Sequence, residues 1–158
     1  MADSNRLAVL KNIQTTLQGM TGGTYHYPLT VASQVIVDPT VNLLTAPGSE
    51  QPIYLLEPTP SGVKEYWPGE QVTEEFIVTI TGRKDADASD VAAKMTVWEH
   101  MAADIELALQ ADTTRGGHAC DTRLGVPQPF VGVGSSIVLL VQPVRVTIYR
   151  AYRDGVGS

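Results

Sequence analysis

One cysteine, Cys120, stands in a chain of 158 residues, so no disulfide can close within it, and a reducing compartment is the expected setting. Histidine is nearly as scarce. His26, His100 and His118 show no HxxxH spacing and there is no CxxC, so a metal site lacks its usual ligand framework. A glycine-rich phosphate loop is missing too: Gly116-Gly117 follows a helical stretch, whereas a phosphate cradle precedes one. The longest apolar run, Ile137 to Val141, falls far short of a bilayer span. The opening MADSNRLAVL lacks the apolar core of a signal peptide. These absences predict a soluble protein made in the cytoplasm. Positive charge is sparse as well, with 11 Lys and Arg against 17 Asp and Glu. The resulting net charge of −6 disfavours nucleic acid or an anionic membrane as the main partner.

What is present fits one globular domain spanning residues 1–158, with 43% hydrophobic and 18% charged residues. The chain is organised around Ser89 to Asp112. Val91, Met95, Trp98, Met101 or Ala102, Ile105 and Leu109 recur at helical spacing and predict a core-facing stripe, with Ser89 as N-cap. A first helix is expected over Ser4 to Met20, its stripe being Leu7, Leu10, Ile13, Leu17 and Met20. Strands are expected at Tyr25 to Val37 and at Glu74 to Gly82. Two short strands, Ile53 to Leu56 and Val63 to Trp67, would be joined by a turn at Thr59-Pro60-Ser61-Gly62. Residues 42–75 read as an irregular acidic hairpin or arm, with Tyr54, Tyr66 and Trp67 as either anchors or core. Asp121 to Ser135 reads as a long loop, and Ser136 to Tyr152 as a closing long strand or a bent pair whose ladder Pro143 breaks, with a frayed tail from 153. Few strands are linked by helical crossovers. The expected class is therefore α+β: a mostly antiparallel sheet with two main helices packed against it.

The chemistry-bearing residues do not assemble into an active site on paper. Cys120 with His118 or His100 supplies two parts of a nucleophilic pair, but the orienting group and oxyanion pocket are unmarked. Glu99, Asp104 and Glu106 read as a wet helix face. No catalytic, cofactor-binding or metal-binding residue is assigned. Charge, in contrast, is strongly segregated. Glu50, Glu57, Glu65, Glu70, Glu74 and Glu75 face Lys64 alone in the middle of the chain, whereas Arg115, Arg123, Arg145, Arg150 and Arg153 dominate its end. That end has no lysine, which weakens a nucleic-acid reading. Complementary patches of this kind suit head-to-tail self-association, which closes into a ring when the rotation permits.

Three segments carry a family likeness: the opening helix LAVLKNIQTTLQGM running into a Tyr-containing strand, the stretch DIELALQADTTRGGHACDTRL, and the closing VRVTIYRAYRD. Together they resemble the tail terminator (tail completion) proteins of long-tailed bacteriophages. The resemblance implies a small α+β domain that forms a ring, typically a hexamer, on the end of the tail tube. Such a ring ends tube polymerisation and offers a surface for head–tail joining. The implied partners are further copies of the chain, the tail tube protein and a head–tail connector or head-closure protein. Membrane and specific nucleic acid are not among them, although DNA would pass through the ring lumen. The implied location is the head-proximal end of the virion's tail, reached from the host cytoplasm, with no reaction and no cofactor. Under this resemblance Arg115, Gly116, Gly117 and Arg123 form a contact loop and its basic partners. Glu70 and Glu74 represent the acidic face, which would meet the next subunit, the tube or the lumen. Two other readings stand beside it: another phage neck component, such as a head-closure or connector protein, and a small cytosolic hydrolase or ligand-binding domain.

Overall fold

A computed structural model describes residues 5–38, 40, 43, 51–67, 71–87, 89–131 and 135–151, with the backbone alone at 60–67, 71–73 and 149–151. Helix α1 spans Asn5–Gln18, and a short 3-10 turn at Ala32–Gln34 leads into β1, Val35–Ile36. Strands β2 (Ile53–Trp67) and β3 (Gln71–Asp85) precede helix α2 (Val91–Gln110). Strands β4 (Asp121–Leu124), β5 (Gln128–Val131) and β6 (Ile137–Ala151) complete the fold. One six-stranded sheet runs β1-β2-β3-β6-β4, with β5 also pairing β6. Every pairing is antiparallel except the short β1–β2 contact.

The sheet sorts its residues by parity. On β3, Phe76, Val78 and Ile80 are buried, and on β6 so are Val138, Leu140, Val144, Val146 and Ile148. This face joins Val9, Ile13 and Leu17 of α1 and Val97, Met101, Ile105 and Leu109 of α2 in one core. The opposite face, with Ile77, Thr79, Thr81, Leu139, Val141 and Pro143, stays partly open.

Both helices form where their periodicity predicts. Of the first helix's expected stripe, Ile13, Leu17 and Met20 are buried and Leu10 packs against the core; in α2, Met101, Ile105 and Leu109 are buried as expected, but the stripe is rotated away from its other members. Val91 is 60% exposed, and Met95 and Leu7 are exposed too. At 100° per residue, the buried stripe of α2 is centred about 70° from the expected one. The helix is apolar on more than one side, so spacing alone leaves its rotation open. Its cap also moves by one residue: the Asp90 carboxylate accepts from the Ala93 amide at 3.1 Å, while the Ser89 hydroxyl bonds Asp87 instead.

Proline misleads in three places. The expected turn at Thr59-Pro60-Ser61-Gly62 is absent; β2 runs straight through it, with a register shift between Pro60 and Lys64. Beyond Tyr54 and Leu55, which pair with β1, the outer side of β2 has no partner among the described residues. An edge strand accommodates proline there because no ladder donor is lost. Pro143 likewise stays inside β6. Its carbonyl accepts from the Gly125 amide at 2.8 Å. In an antiparallel strand a residue's N and O face the same neighbour, so the absent N–H falls in the gap between β4 and β5. The approach is close enough that a Cβ on Gly125 would lie 2.7 Å from the Pro143 ring. The expected long loop after Asp121 thus contains two edge strands separated by this gap.

The expected strand from Tyr25 to Val37 shrinks to Val35–Ile36. Its earlier half is fixed to other elements rather than to the sheet. The Leu29 amide donates to the Met20 carbonyl, and the Gln34 amide oxygen accepts from the Thr30 and Val31 amides.

Candidate interaction surface

Helix α2 ends at Gln110, and Asp112 shapes the loop beyond it. One carboxylate oxygen accepts from the Thr114 hydroxyl at 2.6 Å and the Thr114 amide at 2.9 Å, and the other accepts from the Gly116 amide at 2.8 Å. These bonds, the Thr114 hydroxyl foremost, lower the pKa of the exposed Asp112 to about 2. Arg115, Gly116 and Gly117 then take left-handed φ values of 49°, 70° and 87°. Glycine adopts these without steric cost; arginine does not.

That turn sends Arg115 inward. Its side chain is 0% exposed, and Nη2 donates to the carbonyl of Leu109, one of the acceptors left over at a helix C-terminus. Among the described residues its Nε and Nη1 atoms are buried without a hydrogen-bond partner, and burial pulls its pKa below the ordinary value against the pull of Asp112. The expectation that Arg115 offers its fork to a neighbouring subunit is therefore corrected: the residue latches its own helix. Gly116 and Gly117 remain exposed. Gly116 abuts α1, since a Cβ there would meet the Asn12 amide at 3.2 Å.

Arg123 is the basic residue that does face outward, with 82% of its side chain exposed. It lies on β4 directly opposite Arg145 of β6, on the open face. Like charges in that register repel. Each is partly compensated: Arg123 Nε donates to Asp121 at 2.8 Å, and Arg145 Nη1 lies 3.7 Å from Glu75. Beside Arg123, Gln110, Thr113, Thr122 and Leu124 complete the lining of an open groove of about 500 Å³ at the end of α2.

Of the acidic residues, Glu74 is buried on the helix-covered face, 3.4 Å from Arg6 of α1. It ties α1 to β3 rather than lining a wet face, which corrects its expected contact role. Glu57 is exposed on the open face, in the β2 row that pairs with Thr79. Glu70 lies outside the described residues, as do the side chains of Tyr66 and Trp67, while Tyr54 is fully buried in the core.

A second cluster has little signature in the sequence. Asp104, expected on a wet helix face, is 1% exposed and accepts from the amides of His26 and Tyr27, each at 2.8 Å. The His26 and His100 rings stack 3.9 Å apart and 4° from parallel. The Tyr27 hydroxyl lies 3.4 Å from His100 Nδ1, and Lys84 Nζ sits 4.8 Å above the Tyr27 ring. Tyr54 Oη is buried without a hydrogen-bond partner among the described residues, and burial drives its pKa upward. The arrangement clamps the 25–27 segment onto α2. Its only sequence signal was a Tyr-His-Tyr triplet with a helical His100 and Asp104 at i, i+4 spacing. Cys120 is exposed, its thiol donating to the Thr147 carbonyl at 2.9 Å. Among the described residues no group of three or more His, Cys, Asp or Glu could hold a metal ion.

Fold and surface together define an α+β domain: a mostly antiparallel six-stranded sheet, two helices on one face, and a charged, partly apolar opposite face. No family model matches the chain, and no curated protein matches it in sequence.

Proposed function

We propose that this protein is a structural virion assembly protein that forms a ring on the end of a phage tail tube. The ring ends tube polymerisation and gives the head-side connector its surface. The sequence likeness to tail terminators motivates this reading. The observation that carries it is the open sheet face, with exposed Arg123 and Arg145 toward one edge and exposed Glu57 toward the other. Charge of opposite sign at opposite edges favours a heterologous contact, in which each copy meets the next with a different patch. The groups of the Asp104 cluster are engaged in holding backbone amides and stacked rings, which suits a rigid building block. The test is tube assembly in the protein's presence. Added to polymerising tail tube subunits, it shortens the tubes and halts their elongation in proportion to its concentration. Unchanged tube lengths at saturating protein contradict the reading, and binding to DNA-filled heads but not to tubes would transfer the protein to the head-closure class.

A further inference from the structure

Both edges of the sheet carry proline. Pro58 and Pro60 lie in β2, and Pro127 and Pro129 lie at and just before β5. Each removes an N–H donor, the usual means by which an edge is protected from main-chain pairing with another chain. Side chains can still meet across such edges. Strand directions favour that meeting: β2, β3, β6 and β4 alternate through antiparallel pairings, so β4 runs opposite to β2. A neighbour related by rotation about an axis along the strands keeps these directions. Its β2 then lies beside this copy's β4 in the same antiparallel sense as within the sheet.

The charges at the two edges match. Glu57 on β2 is exposed and makes no ion pair among the described residues. Arg123 on β4 gives Nε to Asp121 and leaves its Nη fork without a protein partner among the described residues. Both belong to the open face. The row Glu57–Thr79–Pro143 adjoins the row Ile77–Arg145–Arg123. Adjacent rows on one face are about 7 Å apart along the strand, a separation that a glutamate and an arginine bridge together. We propose that copies of this chain associate head to tail with the β4 edge of one against the β2 edge of the next, through side chains, with Arg123 engaging Glu57 of the neighbouring copy. This rests on the ring reading and adds to it the surface and the pair that set the register. The partner is a second copy because the complementary acid lies on the opposite edge of the same face of the same chain.

Charge exchange tests it on the full-length protein. Arg123→Glu, Arg123→Gln, Glu57→Arg and the double variant Glu57→Arg/Arg123→Glu are compared with wild type by sedimentation velocity, alone and with tail tubes, at low and high salt. Circular dichroism and melting temperature establish that each variant is folded. Each single reversal is expected to weaken association about tenfold or more at low salt. Arg123→Gln weakens it less, and the double variant restores it. High salt narrows all of these differences. If wild type assembles and the single reversals assemble equally well, the inference is overturned while the ring reading stands. Two weakened single variants without rescue in the double variant overturn the Arg123–Glu57 pairing. A wild-type protein that stays monomeric under every condition, tubes included, overturns the ring reading and this inference with it.

Discussion

On β6, Val138, Leu140, Val144 and Val146 are fully buried under the helices, while Leu139, Val141 and Pro143, one step out of phase on the same strand, stay partly open. The residue types on the two sides are nearly the same. What separates them is the pair of helices: α2 packs along β4, β5 and β6, and α1 packs against α2. A strand that is apolar on both faces therefore need not be buried on both. The basic residues repeat the contrast. Arg115 lies beneath its loop and serves the α2 terminus, whereas Arg123 and Arg145 stand on the open face.

The same substitution on the two sides separates these roles most sharply. Arg115→Glu places a carboxylate beside the Leu109 carbonyl and Asp112, and is expected to cost about 3–5 kcal/mol in urea unfolding. Arg123→Glu should leave monomer stability within about 0.5 kcal/mol. Equal effects would erase the distinction between latch and surface. Next in size, Leu140→Ala, which opens a cavity under the helices, should cost about 3 kcal/mol. Leu139→Ala, one residue away, should cost less than about 1 kcal/mol in the monomer. A smaller loss, about 1–2 kcal/mol, is expected for Gly82→Ala. Its new methyl would lie 3.0 Å from the Tyr54 ring and 3.3 Å from Met101 Sδ, so a lower melting temperature reports tight packing there.

The smallest effect is one of pH. Asp112 has a folded pKa of about 2 against an ordinary 3.8. A depressed carboxyl adds stability that is present above pH 3.8 and is lost as pH falls toward 2. Asp112→Asn should therefore flatten the fall in melting temperature within that window and leave the rest of the acid limb in place. An unaltered acid limb would mean that the Thr114 and Gly116 bonds do not hold the loop in solution.

Much of this architecture was legible in the chain. Two helices at 3.6-residue spacing, alternating strands and few helical crossovers lead to an α+β sheet, as observed. The rotation of α2 was legible only in part: Met101, Ile105 and Leu109 are buried as their spacing implies, whereas Val91 and Met95 on the same stripe are exposed, because the helix is apolar on more than one side. The long β2–β3 pair was obscured by Pro58 and Pro60, which read as turn formers until an unpaired outer edge explains them. Arg123 reads correctly as an exposed cation, since nothing near it in sequence draws it inward. Arg115 does not: Gly116-Gly117 announces a left-handed turn, but the positive φ of Arg115 itself, which turns the side chain toward Leu109, has no sequence signature. Glu74 and Asp104 read as wet in the sequence because carboxylates usually are. Each is buried against a partner distant in sequence, Arg6 in one case and the His26 and Tyr27 amides in the other.

The central proposal is a ring of head-to-tail copies at a tube end, and electron microscopy of the full-length protein mixed with purified tail tubes tests it most directly. The account predicts a closed ring at one end of each tube, with the β4 edge of every copy beside the β2 edge of the next. Bare tube ends, or single copies scattered along the tube wall, would contradict it.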